Sequence, residues 1–296
     1  MQSPIVEFPL CSWQAPIEPA LRQKAQETLE SGGVLYFPHL GFDLRDEEKR
    51  FLAPVWSDGR AKNIYLRGRE RSLRGFAGSE DDALALMALI ERYSSAVRHF
   101  LDELLPSYAG SGELSNTSFR PVEAAGRAQS WRHDDSRLHT DAFPSKPTHG
   151  TRILRVFCNI NSEGRPRQWR VGESFADMAR RFLPRLPPYH PWLAGAMHKL
   201  GITKSRRSEY DHLMLHLHDA QKADTNYQET TPQVDMPFPP GSTWICFSDQ
   251  VLHAVMGGQY LLEQTLHVPV AALSEPGRSP LRILEKMLGR PLVEAP

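Results

Sequence analysis

Ser136-Arg137-Leu138-His139-Thr140-Asp141-Ala142-Phe143-Pro144 is the stretch from which the rest of the chain is read. His139 and Asp141 stand two residues apart, so in extended backbone their side chains leave the same face and can close on one metal ion. Leu138 and Phe143-Pro144 give the pair the surroundings of a strand end. A second imidazole lies far downstream, in Pro239-Pro240-Gly241-Ser242-Thr243-Trp244-Ile245-Cys246-Phe247-Ser248-Asp249-Gln250-Val251-Leu252-His253. There a Pro-Gly turn opens a buried strand, and His253 stands beyond it. Two imidazoles and one carboxylate make the facial set of non-haem Fe(II) oxygenases, which leaves positions open for a cosubstrate and O2. Groups this distant in sequence meet only where remote strands are brought together, so reading the metal set is also reading the fold.

Two rivals compete with this choice. His133-Asp134-Asp135 repeats the pattern, but inside the charged run Arg132 to Arg137, whereas His139 has apolar flanks. His212 and His216 would share one face of a helix. The Glu that metallopeptidases place beside the first His is absent there, so His212, His216 and His218 read as helix-surface histidines.

The chain has 296 residues, enough for a full core, with 40% hydrophobic and 24% charged residues as in ordinary globular proteins. Lys+Arg and Asp+Glu balance at 35 each, so no overall charge favours nucleic acid as a partner. Three scattered cysteines, Cys11, Cys158 and Cys246, lack metal-ligand spacing and suit reduced thiols in a cytoplasmic protein. The start Met1-Gln2-Ser3-Pro4-Ile5-Val6-Glu7 has no secretory pattern, and no run nears the roughly 18 apolar residues of a membrane span.

In chain order, 18–31 reads as an amphipathic helix stopped by Gly32-Gly33, and Val34 to Phe37 as a buried strand. Residues 44–54 look helical, and the Arg- and Gly-rich stretch 58–78 reads as short strands and loops. Asp81 to Leu105 has the longest helical pattern, with Leu84, Leu86, Leu89, Ile90, Tyr93, Val97, Phe100 and Leu101 at helical spacing. Strands are expected at 117–123, 137–140, 151–161, 165–173, 243–247 and 260–270, with helical inserts at 174–183 and 206–224. Ser279 to Leu288 forms a last helix. Its apolar stripe of Leu281, Ile283, Leu284, Met287 and Leu288 either caps the core or faces lipid. The fold expected is α+β with a mainly β core: a double-stranded β-helix (jelly roll, cupin-like) with flanking helices and helical inserts. It makes a single domain over 1–296: a support region at 1–115, a jelly-roll core at 116–272 holding the helical insert 174–224, and a C-terminal helix at 273–296.

An oxygenase of this kind most often takes its electrons from 2-oxoglutarate, whose distal carboxylate calls for a buried cation, usually Arg. No Lys or Arg occurs between His253 and Arg278, where many such enzymes place it. Arg155, in the middle of the apolar strand 151–161, is the expected anchor, with Arg120 as a second candidate. An unpaired buried guanidinium costs several kcal/mol, so Arg155 must have an anionic partner, either the ligand or a carboxylate from a neighbouring strand.

Taken together, His139-Thr140-Asp141-Ala142-Phe143-Pro144-Ser145, Arg152-Ile153-Leu154-Arg155-Val156-Phe157, Trp169-Arg170-Val171-Gly172-Glu173, Asp249-Gln250-Val251-Leu252-His253-Ala254-Val255 and Ser279-Pro280-Leu281-Arg282 resemble the Kdo hydroxylases. The resemblance covers nearly the whole chain. It implies an Fe(II)- and 2-oxoglutarate-dependent dioxygenase that uses O2 to hydroxylate 3-deoxy-D-manno-oct-2-ulosonic acid (Kdo) at C3, giving Ko in the lipopolysaccharide inner core. The implied partner is a Kdo-containing lipid A glycolipid, met at the cytoplasmic face of the inner membrane through peripheral contact. Arg167 and Arg170, with Arg165, Lys204, Arg206 and Arg207, are candidates for holding its carboxylates and phosphates. Two alternatives stand beside this reading: a dioxygenase of the same class with another small-molecule or protein substrate, and an inactive jelly roll that binds anionic glycolipid.

Overall fold

The computed structural model describes residues 4–67, 72–126 and 129–293, so residues 68–71 of the Arg- and Gly-rich stretch lie outside the described residues. Its larger sheet contains β1 (Ile5–Glu7), β2 (Val34–Phe37), β3 (Ile64–Arg67), β4 (Ser72–Arg74), β5 (Glu113–Arg120), β6 (Arg152–Asn159), β9 (Thr243–Phe247) and β11 (Leu261–Val268). These pair in the order β1-β2-β9-β6-β11-β5-β3-β4. β7 (Arg167–Val171), β8 (Val234–Phe238) and β10 (His253–Gly257) form a second sheet, ordered β10-β7-β8. The helices are α1 (Pro19–Glu30), α2 (Glu80–Leu104), α3 (Phe175–Phe182), α4 (Pro191–Lys199), α5 (Glu209–Ala223), α6 (Thr225–Thr230) and α7 (Pro280–Leu288).

β6 sits near the centre of the large sheet because its sequence is apolar on both faces. Leu154, Val156 and Cys158 join Leu29 of α1 and Leu86, Leu89, Ile90 and Val97 of α2 in one core cluster. Phe157, on the opposite face, packs with Trp169, Phe238, Trp244, Val255 and Leu261 from both sheets. The sheets therefore face each other, and the architecture is α+β around an open pair of sheets rather than a closed barrel. α2 begins where Ser79 accepts a hydrogen bond from the Asp82 amide and Asp82 answers to the Ser79 amide, satisfying first-turn donors. Leu84 departs from the expected stripe and is exposed.

Two local expectations are corrected. Arg137 to Thr140 is not a strand. It meets β10 through a single antiparallel bridge, His139 to His253. The reason is competition for its backbone groups: the Gln228 side chain of α6 accepts from Leu138 N at 2.7 Å and donates to Leu138 O at 3.0 Å. β8 was not anticipated because Pro237 interrupts it, and as an edge strand of the small sheet it tolerates the missing donor.

The last helix caps the structure. Leu281 and Leu284 of α7 are buried in a cluster with Phe175, Met178 and Phe182 of α3 and with Tyr210, Leu213 and Leu217 of α5. Ile283, Met287 and Leu288 pack partly buried against the same cluster, so the stripe is spent on protein contacts rather than offered to lipid. Ser279 caps its start, and Gly289, with a left-handed φ of 68°, ends it. Among the described residues no helix is long and apolar enough to cross a membrane.

Candidate metal centre

The connection from β9 to β10 positions the cluster. His139 exchanges backbone hydrogen bonds with His253, at 3.0 and 2.9 Å, and the Asp141 amide donates to Ser248 O at 2.8 Å. One short segment is thereby pinned at two places against the turn that ends in His253. One ligand atom from each of His139, Asp141 and His253 lies within 4.8 Å of the others. His139 and His253 are buried, and Asp141 nearly so.

Tautomers follow from the backbone. His139 Nδ1 is 2.7 Å from Arg137 O, and His253 Nδ1 is 2.8 Å from Val251 O. A carbonyl oxygen can only accept, so each Nδ1 carries the proton and each Nε2 presents a lone pair. Burial, then the neighbouring His253, pushes His139 well below its ordinary pKa, and burial also lowers His253. Both rings are therefore neutral, as metal ligation requires. Burial works against ionising Asp141, but the Arg155 guanidinium holds its carboxyl below the usual range. The Trp169 indole stacks on His253, with centroids 4.9 Å apart and planes at 19°.

Behind this set stands a buried charge relay. Arg155, opposite Thr265 of β11 and Cys246 of β9, donates from Nη1 to Glu263 Oε1 at 2.7 Å and brings Nη2 within 3.0 Å of Asp141 Oδ2. Arg120 pairs with the other oxygen of Glu263. Ser118 and Thr265 also approach that carboxylate, each at 3.4 Å. The partner required of Arg155 is thus Glu263 together with Asp141. Two donors remain over: the Nε atoms of Arg120 and Arg155 are buried with no hydrogen-bond partner. A divalent cation on Asp141 would leave two guanidinium charges facing one carboxylate, an arrangement suited to one further carboxylate. The residues present fit both a metal ion and an organic acid.

Arg167 and Arg170 separate. Arg167 is buried and donates to Gly258 O at 2.5 Å, and it lines a cavity with Lys62, Arg120 and Asp135. Lys62 pairs with Asp135, and Lys222 Nζ lies 3.8 Å from the same carboxylate. Arg170 is half-exposed and pairs at 3.2 Å with the exposed Asp235, on the rim of the small sheet. His133 is exposed, bonded to Ser130 Oγ at 2.8 Å, and is not part of the cluster. His212 and His216 touch as helix neighbours, with ring centroids 4.3 Å apart and planes tilted by 58°.

His218, read as a surface histidine, sits against His139 in an edge-on contact with ring centroids 5.5 Å apart. Its Nδ1 is 3.0 Å from Asp219, which in turn accepts from Arg132 at 3.0 Å. No local signal distinguishes it from the helix's other histidines. Glu263 was equally unread, but its signal was present: a carboxylate inside the apolar run Leu261 to Val268 demands a cation just as Arg155 demands an anion.

A family model described as 3-deoxy-D-manno-oct-2-ulosonic acid (Kdo) hydroxylase matches residues 12–291. Solved structures of the Kdo hydroxylase KdoO, a non-heme Fe(II) alphaketoglutarate-dependent dioxygenase, superpose over 99% of both chains. The complex with alphaketoglutarate and Fe(III) gives a TM-score of 0.95 at 50% identity. That with cobalt(II) gives 0.96 at 51%, and that with succinate and Fe(III) gives 0.95 at 50%. No curated protein sequence matches the chain.

Proposed function

This chain belongs to the Kdo hydroxylase family, and from that premise we propose how its residues divide the work of an Fe(II)- and 2-oxoglutarate-dependent dioxygenase acting on Kdo. The observation that supports the division is the convergence of two Nε2 lone pairs and one carboxylate in front of two arginines with unsatisfied donors. His139, Asp141 and His253 hold Fe(II). Bound there, the metal couples decarboxylation of 2-oxoglutarate to hydroxylation of a substrate C–H bond by O2.

The chain's own groups bind, orient and keep water out. Arg155, helped by Arg120, takes the distal carboxylate of 2-oxoglutarate on the donors that Glu263 and Asp141 leave over. Glu263 fixes both guanidinium planes before the ligand arrives, which lowers the ordering cost of binding. Trp169 holds the His253 ring and seals one side. The cavity of Lys62, Arg120 and Arg167 meets the acidic sugar, and Arg170 on the rim meets its outer anionic groups. No side chain of the site is assigned as a general base, because the protein's part is to hold and orient the ligands and to exclude water. The substrate is Kdo attached to lipid A, hydroxylated at C3 to Ko, at the cytoplasmic face of the inner membrane, with the whole chain 1–296 acting as one domain.

The test combines turnover with product mass. The protein with Fe(II), 2-oxoglutarate and Kdo-bearing lipid A should release succinate and add one oxygen to Kdo. Ala at His139, Asp141 or His253 should abolish both and also Co(II) binding, while His133→Ala should retain them. Full turnover in His139→Ala would overturn the ligand assignment, and a product oxidised elsewhere than C3 would overturn the regiochemistry.

A further inference from the structure

The helical insert presents an unusual surface around α4. Trp192 is 72% exposed, Leu193 45%, Leu200 75% and Ile202 54%. The other large apolar side chains exposed among the described residues, Val55, Leu84 and Val234, are far from one another in the chain. In α4 itself only Ala194 is buried, so this nine-residue helix turns its bulk outward. Charge adds an independent observation. The chain as a whole is neutral, yet residues 187–208, around α4, contain four Lys and Arg and not one Asp or Glu, while Arg180, Arg181 and Arg185 before them pair with Asp177, Glu173 and Asp224. Lys199 and Lys204, both exposed, flank the Leu200–Ile202 turn.

We propose that this segment is the surface by which the protein seats on an anionic phospholipid bilayer, with Trp192, Leu193, Leu200 and Ile202 entering the interface and the basic residues meeting the headgroups. An exposed Trp and aliphatic side chains with basic neighbours and no acid is the composition of an interfacial segment. The cores of protein–protein interfaces are depleted in Lys, and two copies of this face would repel each other. The surface is also tied to the site. Lys204 N donates to Ser145 O at 2.9 Å and Arg207 donates to Pro144 O, both on the loop that follows Asp141. A bilayer contacted here lies beside the segment that carries the metal carboxylate. This partner deepens the function proposed above, resting on its lipid-linked substrate for its purpose.

The test is cosedimentation of the full chain with vesicles of phosphatidylcholine alone and of phosphatidylcholine mixed with phosphatidylglycerol. Binding is expected to the mixed vesicles only and to weaken with added salt. A basic residue near an anionic surface is worth about fivefold in partition, so Lys199→Glu, which removes one positive charge and adds a negative one, should lower it by about 25-fold. Trp192→Ala with Leu200→Ser and Ile202→Ser should lower it at least about tenfold. Both variants change exposed side chains, and both should form succinate normally and hydroxylate detergent-dispersed substrate while losing activity on vesicle-embedded substrate. The proposal is overturned if the intact protein ignores the mixed vesicles, or if neither variant weakens binding. It is equally overturned if the apolar variant instead turns a dimer into a monomer without changing vesicle binding. Vesicle binding that behaves as expected with no oxidation of Kdo would fail the proposed function and leave the docking surface standing.

Discussion

Replacing Arg155 by Met separates what this guanidinium does for the fold from what it does for the cosubstrate. Its side chain is 14% exposed and lies 2.7 Å from Glu263 and 3.0 Å from Asp141. Removing one member of a buried ion pair costs about 3–5 kcal/mol, because the remaining charge stays buried without its partner. Glu263 keeps Arg120, so the lower end, about 3 kcal/mol, is expected. At roughly 2 °C per kcal/mol for a chain of this size, Tm should fall by about 6 °C. A divalent cation neutralises the stranded Asp141, so Co(II) should return part of that loss. The cosubstrate effect has no such remedy. A charge-assisted hydrogen bond is worth about 1.5–3 kcal/mol, so half-saturation with 2-oxoglutarate should rise by about 10- to 150-fold in a succinate-release assay. Arg155→Lys keeps the charge without the planar fork and should fall between Met and the parent. A folded Arg155→Met protein with an unchanged 2-oxoglutarate requirement would refute the anchor.

Gln228→Ala removes the side chain that holds both backbone groups of Leu138, and Co(II) affinity, read from the visible absorption of the complex, should drop about 10- to 100-fold, as when other groups behind a ligand are lost. An unchanged affinity would mean that the His139–His253 bridge alone sets the geometry. Arg152, fully buried, bonds Asp249 at 2.7 Å and Gln250 at 2.6 Å and lies over the Phe247 ring. Arg152→Ala should therefore cost about 3–5 kcal/mol in denaturant unfolding, and a loss below about 1 kcal/mol would show that the site relaxes. The metal-free protein should also weaken in acid. Burial, then Lys146 at 3.1 Å, pushes His267 from 6.5 to about 4, and burial lowers His139 and His253 as well. The unfolded chain then takes up protons first, so stability is full above about pH 6.5 and is lost as pH falls toward about 4. Unfolding free energies that stay flat through that window would contradict the burial of neutral rings, and His267→Gln should reduce the slope.

Local chemistry made much of this protein legible from its sequence. The period and caps of α2, the Gly-Gly stop after α1 and the apolar run of β6 depend on neighbours a few residues away, and they appear within a residue or two of where they were expected. The His139–Asp141 pair was legible for the same reason, since two residues of nearly extended chain suffice to aim both side chains. Arg155 announced itself as a charge where water is absent. Register and long-range competition could not be read in this way. Gln228, ninety positions from Leu138, takes the backbone groups that would have made residues 137–140 a strand. The pairing of β11 with β6 and β5 places Glu263 between Arg155 and Arg120. The packing of α5 brings His218 to His139 while leaving His212 and His216 outside, although all three look alike in sequence. The same packing buries the stripe of α7 and leaves that of α4 in solvent. A residue's type and spacing fix what it can do, but its partner is chosen by which distant backbone reaches it first.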